Sequence, residues 1–551
     1  MTSDAGAPGT TELVGVGPDF PVEFDDPADA ALTWEWDDMH MPFALAPLAA
    51  DWTRVTGQGF GSWKAYFRID LPSRTLTAIW NGYAYFAYDP GAEGEQREAN
   101  DARALEAWRA AEATTEAYWR DEALPALREI YRQMDEAPIE AGTPAEVAEA
   151  WRQAWAGADL AWRIHFTVIP GAYQVMDDLA DLYESIVEGA SAGESMRLIQ
   201  GVRHELYETE VGVERLATLA AEQPTIAAAL RAGVRAPEEI GSLPGGDRFA
   251  AALDEFLAAH GHVGQSVDDL MLASWGDEPG LLLAELAKRL DHPGEGAEAR
   301  RARLAREADE LAAGMRARLA DRPEELARFE QLLDLARRIG PLTEVHNYWI
   351  DRAAQAHLRR LVRRVGARLV RDGVLEAIDE VFYLTRTEVP GLLTKPEDRR
   401  TMVEARRTEH ERQRLHPPPR FIGKAPRQDA GSGDRFDGAR FAPIEAAVLK
   451  GTGASAGVVT GPARVILTST EFERVQPGDV IVCPSSNPSW VPVFTIAGGL
   501  VTNTGGVLSH AAVVAREFGL PAVVGVAGAT TTIVNGQLLE IDGTAGTVRI
   551  L

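Results

Sequence analysis

The sequence offers little that could be cross-linked or inserted into a membrane. Cys483 is the only cysteine among 551 residues, so an intrachain disulfide is excluded and a cysteine-based metal site is not expected. Residues 1–20 carry neither a basic segment nor the apolar core of a signal peptide, and no apolar run reaches the roughly 18 residues of a membrane span. We therefore expect a cytoplasmic protein that does not bind membranes.

Basic residues are scarce relative to acidic ones. The chain has 55 Lys and Arg residues against 83 Asp and Glu residues, which gives a formal net charge of −28 at pH 7. Such a surface repels polyanions, including nucleic acids and anionic lipids. The composition argues against nucleic-acid binding, although it leaves room for a local basic pocket.

Composition and apolar periodicity predict an α+β protein with several domains. Residues 1–30, rich in Gly, Pro, Asp and Thr, are predicted to form a disordered tail. Residues 31–425 are predicted to form one mostly helical domain. Its 31–90 segment alternates apolar residues as β-strands do, and Thr143 followed by Glu146 resembles a capping box at a helix start.

The C-terminal part of the sequence has a different pattern. Residues 426–450 contain much Gly, Ser, Asp and Pro and are predicted to be a flexible linker. From residue 451 onward, short Val- and Ile-rich runs predict the strands of a compact domain of about 100 residues that ends at residue 551.

One stretch of this last domain contains candidate catalytic residues. Gly505 and Gly506 are followed by Ser509, a suitable helix N-cap, and by His510 as the first helical residue. A helix N-terminus favours anions such as phosphoryl groups, and its dipole disfavours an imidazolium. His510 is therefore expected to be a neutral, nucleophilic imidazole, the alternative being a histidine that only caps or packs at a turn.

Polar residues also cluster in the helical region. Glu344, His346 and Asn347 lie within one helical turn and could converge on a ligand or simply cap a helix. The turn around His260 and His262 offers two imidazoles without a third ligand, so no metal site is predicted.

Residues 451–551 closely resemble the swivelling phosphohistidine domain of PEP-utilising enzymes such as phosphoenolpyruvate synthase, pyruvate phosphate dikinase and rifampin phosphotransferase. The resemblance is carried by Pro477-Gly478-Asp479, Asn487-Pro488-Ser489-Trp490, Gly505-Gly506-Val507-Leu508-Ser509-His510 and Gly519-Leu520-Pro521. It implies a β/β/α fold and a transiently phosphorylated His510. The residues expected to contact the phosphoryl group are Thr504, Gly505, Gly506, Ser509 and Arg516, although Arg516 could equally form a structural ion pair.

Residues 31–425 more weakly resemble the helical substrate domain of rifampin phosphotransferase and of phenylphosphate synthase-like proteins. The shared motifs include Trp36-x-x-x-His40-x-Pro42, Gly261-His262-x-Gly264 and Glu344-x-His346-Asn347. The resemblance implies that Glu344–Trp349 lines the acceptor site, with His346 as candidate general base assisted by Glu344. The further candidates for substrate contacts are Trp36, His40, His262, Trp275, Asn347 and Trp349.

The relatives take phosphate from ATP on an ATP-grasp domain or from phosphoenolpyruvate on a barrel domain, and neither is recognisable in this sequence. We therefore expect ATP and Mg²⁺ to bind a separate ATP-grasp subunit, with no cofactor held tightly by this chain. The predicted function is a dikinase-type phosphotransferase subunit that carries a phosphoryl group on His510 to a hydroxyl of a small organic, aromatic acceptor. The alternatives are a phosphocarrier or docking subunit without its own acceptor site, and a structural protein with an inactive swivel.

Overall fold

A computed structural model describes residues 13–551, apart from Asp19, Met39, 191–193, 265–268, 292–294, Pro417, 425–447, Thr468, 487–489 and Leu508. The chain is α+β: a mainly helical body follows a small N-terminal sheet, and a second sheet forms the C-terminal domain. The predicted linker, except for residues 448–450, and residues 1–12 of the predicted tail lie outside the described residues.

The N-terminal sheet is antiparallel with the order β2-β3-β1-β4. The elements of this region are β1 (Thr33–Trp36), α1 (Pro47–Gly59), α2 (Ser62–Tyr66), β2 (Arg74–Trp80), β3 (Tyr83–Asp89) and β4 (Phe421–Gly423). Trp34 and Trp80 pack edge to face in its core, with ring centroids 4.9 Å apart. Because β4 comes from the far end of the helical body, the sheet ties the two ends of residues 31–423 together.

Two segments differ from their predicted structure. Within the predicted tail, residues 1–30, Val14 pairs with Gly423 of β4, and Phe20, Val22 and Phe24 pack on the core of the sheet. Residues 60–69 belong to the segment whose alternation predicts strands, but they include helix α2 and no strand. The aromatic residues there pack instead on helices, for example Phe60 on Phe166 with centroids 4.3 Å apart.

The helical body is built around the 43-residue helix α5. Its helices are α3 (Gly94–Tyr118), α4 (Leu124–Asp135), α5 (Pro144–Ile186), α6 (Glu205–Ala221), α7 (Pro224–Arg231), α8 (Pro237–Gly241), α9 (Gly246–His260), α10 (Pro279–Asp291), α11 (Ala297–Arg318), α12 (Pro323–Ile339), α13 (Leu342–His346), α14 (Ala353–Arg371), α15 (Val389–Thr394) and α16 (Arg400–Arg414). The predicted capping box at the start of α5 is confirmed, since Thr143 and Glu146 bond to each other's backbone N–H groups.

A π-helical segment, Asn347–Arg352, joins α13 to α14 without a break. The two helices and this segment pack against α5. Single π-turns inside α-helices occur often at functional sites because they change which side chains face each other. Within the described ranges, no helix has both the length and the apolar character needed to cross a membrane.

The C-terminal domain contains an eight-stranded sheet with the order β5-β12-β11-β7-β8-β9-β10-β6. Its elements are β5 (Val448–Lys450), β6 (Thr452–Ser455), β7 (Val458–Val465), β8 (Val480–Cys483), α17 (Val491–Phe494), β9 (Gly499–Thr502), α18 (His510–Phe518), β10 (Ala522–Val524), α19 (Ala529–Thr532), β11 (Leu538–Asp542) and β12 (Thr547–Ile550). Strands β7 to β10 pair in parallel, so the loop after β9 and the start of α18 lie at the carboxyl edge of these strands.

Candidate active site

His510 is the first residue of α18, as the sequence predicts. The Ser509 hydroxyl caps this helix by accepting a hydrogen bond from the Ala512 N–H at 3.4 Å. Gly505 has a φ of +110°, and a Cβ there would lie 2.9 Å from the Ser509 hydroxyl, so only glycine fits. The glycine turn thus leaves backbone exposed in front of the histidine.

The Nδ1 atom of His510 lies 2.9 Å from Oε2 of Glu344, a residue of the helical body. A carboxylate can only accept here, so Nδ1 carries the proton and Nε2 keeps its lone pair. Nε2 is buried and has no hydrogen-bond partner among the described residues. The pairing therefore leaves Nε2 as the ring nitrogen with a free lone pair.

Glu344 is a buried carboxylate whose charge depends on this contact. It is 3% exposed, and burial by itself raises its pKa, but the electrostatic interaction with His510 and the hydrogen bond from it bring the pKa below its ordinary value. Glu344 is thus held ionised by a residue of the other domain.

Helix α18 docks on the helical body through two further contacts. Nε2 of His204 lies 2.9 Å from a carboxylate oxygen of Glu517. The guanidinium of Arg300 lies 4.5 Å from the centroid of the Phe518 ring, a cation–π distance. Together with the pair between Glu344 and His510, these contacts seat the first and last turns of α18 on the body.

Three buried side chains form a cluster close to Glu344. One nitrogen or oxygen from each of His165, His346 and Asp351 lies within 4.8 Å of the others. In a regular α-helix, residues five positions apart point roughly 140° away from each other, whereas the π-turn brings His346 and Asp351 onto one face. Two imidazoles and a carboxylate could hold a divalent transition metal.

His346 has a defined tautomer without any metal. Its Nδ1 donates to the Leu342 carbonyl at 2.6 Å, so Nε2 carries the lone pair. Burial lowers the pKa of this imidazole, which keeps it neutral near pH 7. His346 can therefore act as a proton acceptor or as a ligand through Nε2.

Aromatic side chains line the region beyond Glu344. The ring centroids of His262 and Tyr348 are 4.3 Å apart, and those of Tyr348 and Trp349 are 5.4 Å apart. The indole N–H of Trp349 donates to Glu205 at 2.7 Å, next to His204 of the docking contact. Burial keeps the pKa of His262 well below its usual range, so this imidazole is neutral near pH 7.

The other predicted phosphate-binding side chains are engaged inside the C-terminal domain. Thr504 donates to the Pro484 carbonyl at 3.2 Å. The buried guanidinium of Arg516 donates to the Ala454 carbonyl at 3.0 Å. Both contacts shape the loop and α18 of this domain.

Some predicted substrate-binding residues lie next to His510 or Glu344, and others do not. The Asn347 amide lies 3.5 Å from Glu344 Oε2. Trp36 packs on Tyr83 in the N-terminal sheet, His40 pairs with Asp37 at 2.9 Å, and Trp275 packs on Phe256. No contact between described residues joins Trp36, His40 or Trp275 to His510 or Glu344.

Sequence reasoning missed four polar residues of this region: His165, His204, Asp351 and Arg352. Asp351 and Arg352 follow the predicted cluster by one turn, and an unusual charged pair in an apolar stretch could have marked them. His165 and His204 are isolated histidines in helical sequence and give no comparable signal.

Two family descriptions match the chain. Residues 475–546 match the PEP-utilising enzyme mobile domain, and residues 165–344 match the rifampicin phosphotransferase fourth domain. The first range contains His510, and the second ends at Glu344. Both matches fit a member of the PEP-utilising enzyme family.

Named relatives agree with this assignment. The chain is 30% identical over 320 residues to a rifampicin phosphotransferase of Streptomyces sviceus, covering 57% of this chain and 36% of the relative. It is 24% identical over 432 residues to the uncharacterized phosphotransferase YvkC of Bacillus subtilis, covering 77% and 51%. It is 29% identical over 570 residues to the chondramide synthase cmdD of Chondromyces crocatus, covering 97% and 14%. The chain thus spans about half or less of the length of these relatives.

Proposed function

We propose that this chain is a phosphotransferase that carries a phosphoryl group on Nε2 of His510 to a hydroxyl of a small acceptor held by the helical body. The observation that supports this most directly is the pair between His510 Nδ1 and Glu344, 2.9 Å long. It joins the predicted carrier to the predicted acceptor site and leaves Nε2 as the reactive nitrogen.

The transfer step uses residues on both sides of the interface. The acceptor oxygen forms a bond to phosphorus while the P–Nε2 bond of His510 breaks, and the bonding electron pair returns to Nε2. The hydroxyl proton passes to Nε2 of His346, whose lone pair is fixed by the hydrogen bond from Nδ1 to Leu342. Because Glu344 holds the proton on Nδ1, His510 departs as a neutral imidazole.

The phosphoryl group originates on another subunit in this proposal. An ATP-grasp partner, which binds ATP with Mg²⁺, phosphorylates His510 while the C-terminal domain is undocked. Covalent catalysis of this kind separates the donor and acceptor sites in space. The acceptor is aromatic in this proposal, since Tyr348, Trp349 and His262 supply the lining next to Glu344.

The test is phosphorylation of His510 by a candidate partner. The chain and a co-encoded ATP-grasp protein are incubated with ATP labelled at the β or the γ position, and acid-labile label on the chain is measured. We expect one position to give label on the wild type and on the His416→Ala control, whose imidazole is exposed, and no label on His510→Ala. Equal label on His510→Ala would contradict the proposal.

Transfer of the phosphoryl group from His510 to an acceptor is tested separately. Phosphorylated chain, separated from the partner, is mixed with a panel of phenols and other aromatic alcohols, and loss of label is followed. We expect at least one compound to accept the label. Return of the label only to the partner, across a broad panel, would favour the phosphocarrier alternative.

A further inference from the structure

Arg352 is a buried cation without a counter-ion. It is 3% exposed, its Nε and Nη2 atoms have no hydrogen-bond partner, and it forms no ion pair with any residue that the structure describes. Burying an unpaired charge costs several kcal/mol, so such a group calls for an explanation.

The other buried arginines are all engaged. Arg300 pairs with Glu210, Arg359 lies 3.1 Å from Asp277, and Arg516 donates to the Ala454 carbonyl. Each of these three guanidiniums therefore has at least one hydrogen bond or ion pair, although Nε and Nη1 of Arg359 have no hydrogen-bond partner among the described residues. Arg352 is the exception among the buried arginines of the described residues, and it lies at the end of the π-helical segment that begins next to Glu344.

Arg352 is positively charged at neutral pH. Burial lowers its pKa, but only to about 10. The carboxylates whose charges act on it, Glu344 and Asp351, oppose this decrease. Glu344, however, is already hydrogen-bonded to His510. The positive charge of Arg352 is therefore available to a ligand.

The guanidinium of Arg352 lies near the residues that take part in the proposed phosphoryl transfer. Its charge acts on Glu344, Tyr348 and His262, which lie on the aromatic side of the His510 contact. Helical side chains lean toward the N-terminus of their helix, here toward Tyr348 and Glu344. His262 also has an unpartnered buried atom, Nε2, so unsatisfied polar atoms from two elements lie in this region.

We propose that Arg352 binds an oxyanion within the docked site. This inference rests on the proposed function for its setting, but the binding does not require catalysis. A planar guanidinium with two adjacent free N–H groups matches phosphate or carboxylate oxygens in a bidentate geometry. The oxyanion is either the phosphoryl group passing from His510 to the acceptor or a carboxylate carried by the acceptor.

Thermal unfolding of the full chain tests the binding without a partner subunit. Inorganic phosphate and benzoate are the probes, with NaCl at matched ionic strength as the blank. We expect at least one probe to raise the Tm of the wild type saturably, and Arg352→Gln to weaken its binding at least tenfold. Stabilisation by phosphate alone identifies the phosphoryl group as the ligand, whereas stabilisation by benzoate alone identifies an acceptor carboxylate.

The ligand-free Tm adds a second readout. Removing an unpaired buried charge relieves its desolvation cost, so Arg352→Gln should unfold at the same or a higher temperature than the wild type. The control Arg359→Gln leaves Asp277 buried without its partner and should unfold at a lower temperature. Arg352→Lys keeps the charge and should bind the probe more weakly than the wild type but more tightly than Arg352→Gln.

Two results would overturn the inference. One is a wild type that neither phosphate nor benzoate stabilises, and the other is an Arg352→Gln variant that unfolds earlier but keeps the full probe-dependent shift. Neither result depends on labelling of His510. Failure of the oxyanion site can therefore be distinguished from failure of the proposed function.

Discussion

Glu344 contacts the side chain that gains and loses a covalent bond in the proposed reaction, His510. In the proposed reaction, its carboxylate accepts a hydrogen bond from Nδ1–H of His510 and so keeps the ring protonated on that nitrogen while phosphorus is bound to Nε2. A phosphoryl group leaves more readily from a protonated ring, because the departing species is then a neutral imidazole and not an imidazolate. Glu344 thus prepares the leaving group and does not serve as the main base.

This role predicts a selective defect in Glu344→Gln. The amide can still accept a hydrogen bond, but it cannot stabilise the positive ring, so transfer from phosphorylated His510 to the acceptor should slow by roughly 10²-fold. Phosphorylation of His510 by the partner should be nearly unchanged, because Glu344 is not at the donor site. Rapid-quench measurement of both half-reactions checks this, with the exposed Glu324→Gln as control; equal slowing of both half-reactions would contradict it.

The residues of the site were predictable from sequence to different degrees. Helix-terminus chemistry places His510 at the start of α18 from local sequence alone. Pairing of His346 with Asp351 depends on a π-turn, and α-helical periodicity would put these side chains on different faces. The isolation of Arg352 could not be inferred, because a sequence shows a charge but not the lack of a partner.

At the scale of elements, α5 forms the central support of the helical body. It carries His165 and packs against α13, the π-helical segment and α14. The 43 residues from Pro144 to Ile186 include Pro170 in the interior, and the helix continues through it. The position of the buried cluster therefore depends on the stability of this one helix.

The N-terminal cap of α5 gives a prediction for stability alone. Thr143→Ala removes the hydroxyl that accepts from the Glu146 N–H, and we expect a loss of about 1 kcal/mol in the free energy of unfolding. Urea denaturation of the full chain measures it. Thr143→Ser keeps the hydroxyl and should unfold like the wild type, and a matching loss in Thr143→Ser would show that the cap is not the cause.

The strand-like alternation at residues 60–69 shows why elements can be mispredicted. Large aromatic residues such as Phe60 and Trp63 favour strands by propensity. Here they pack on Phe166 and Trp108 of long helices, and this tertiary packing decides the local structure. Segments with a cap or a consistent period, such as α5 and α18, formed as their local sequence predicts.

At the scale of the whole molecule, the structure shows the C-terminal domain docked on the helical body. His204 and Glu517 lie on opposite sides of this interface, 2.9 Å apart. Burial lowers the pKa of His204, but the nearby carboxylates, chiefly Glu517, outweigh it and leave the pKa above its ordinary value. Docking and protonation of His204 therefore favour each other.

This coupling predicts docking that weakens in alkaline solution. A group whose pKa is raised in the docked state contributes fully below its ordinary value, 6.5 for His204, and loses the contribution as the pH rises through the raised value. Fluorescence transfer between labels on the two domains, followed from pH 6 to about 9, should report partial release. His204→Gln should flatten the dependence of docking on pH, whereas His416→Ala should leave it unchanged. An equally steep pH dependence in His204→Gln would show that another group causes it.

The contact of His510 with Glu344 also has a kinetic consequence for the proposed reaction. The unphosphorylated carrier closes the acceptor site as it docks, so the chain competes with its own substrate for the same space. Acceptor must enter while the domain is away, and saturating concentrations of acceptor should delay the return of the unphosphorylated domain. Variants that weaken docking of the C-terminal domain, such as Glu517→Gln, should then show a lower apparent KM for the acceptor together with a lower kcat.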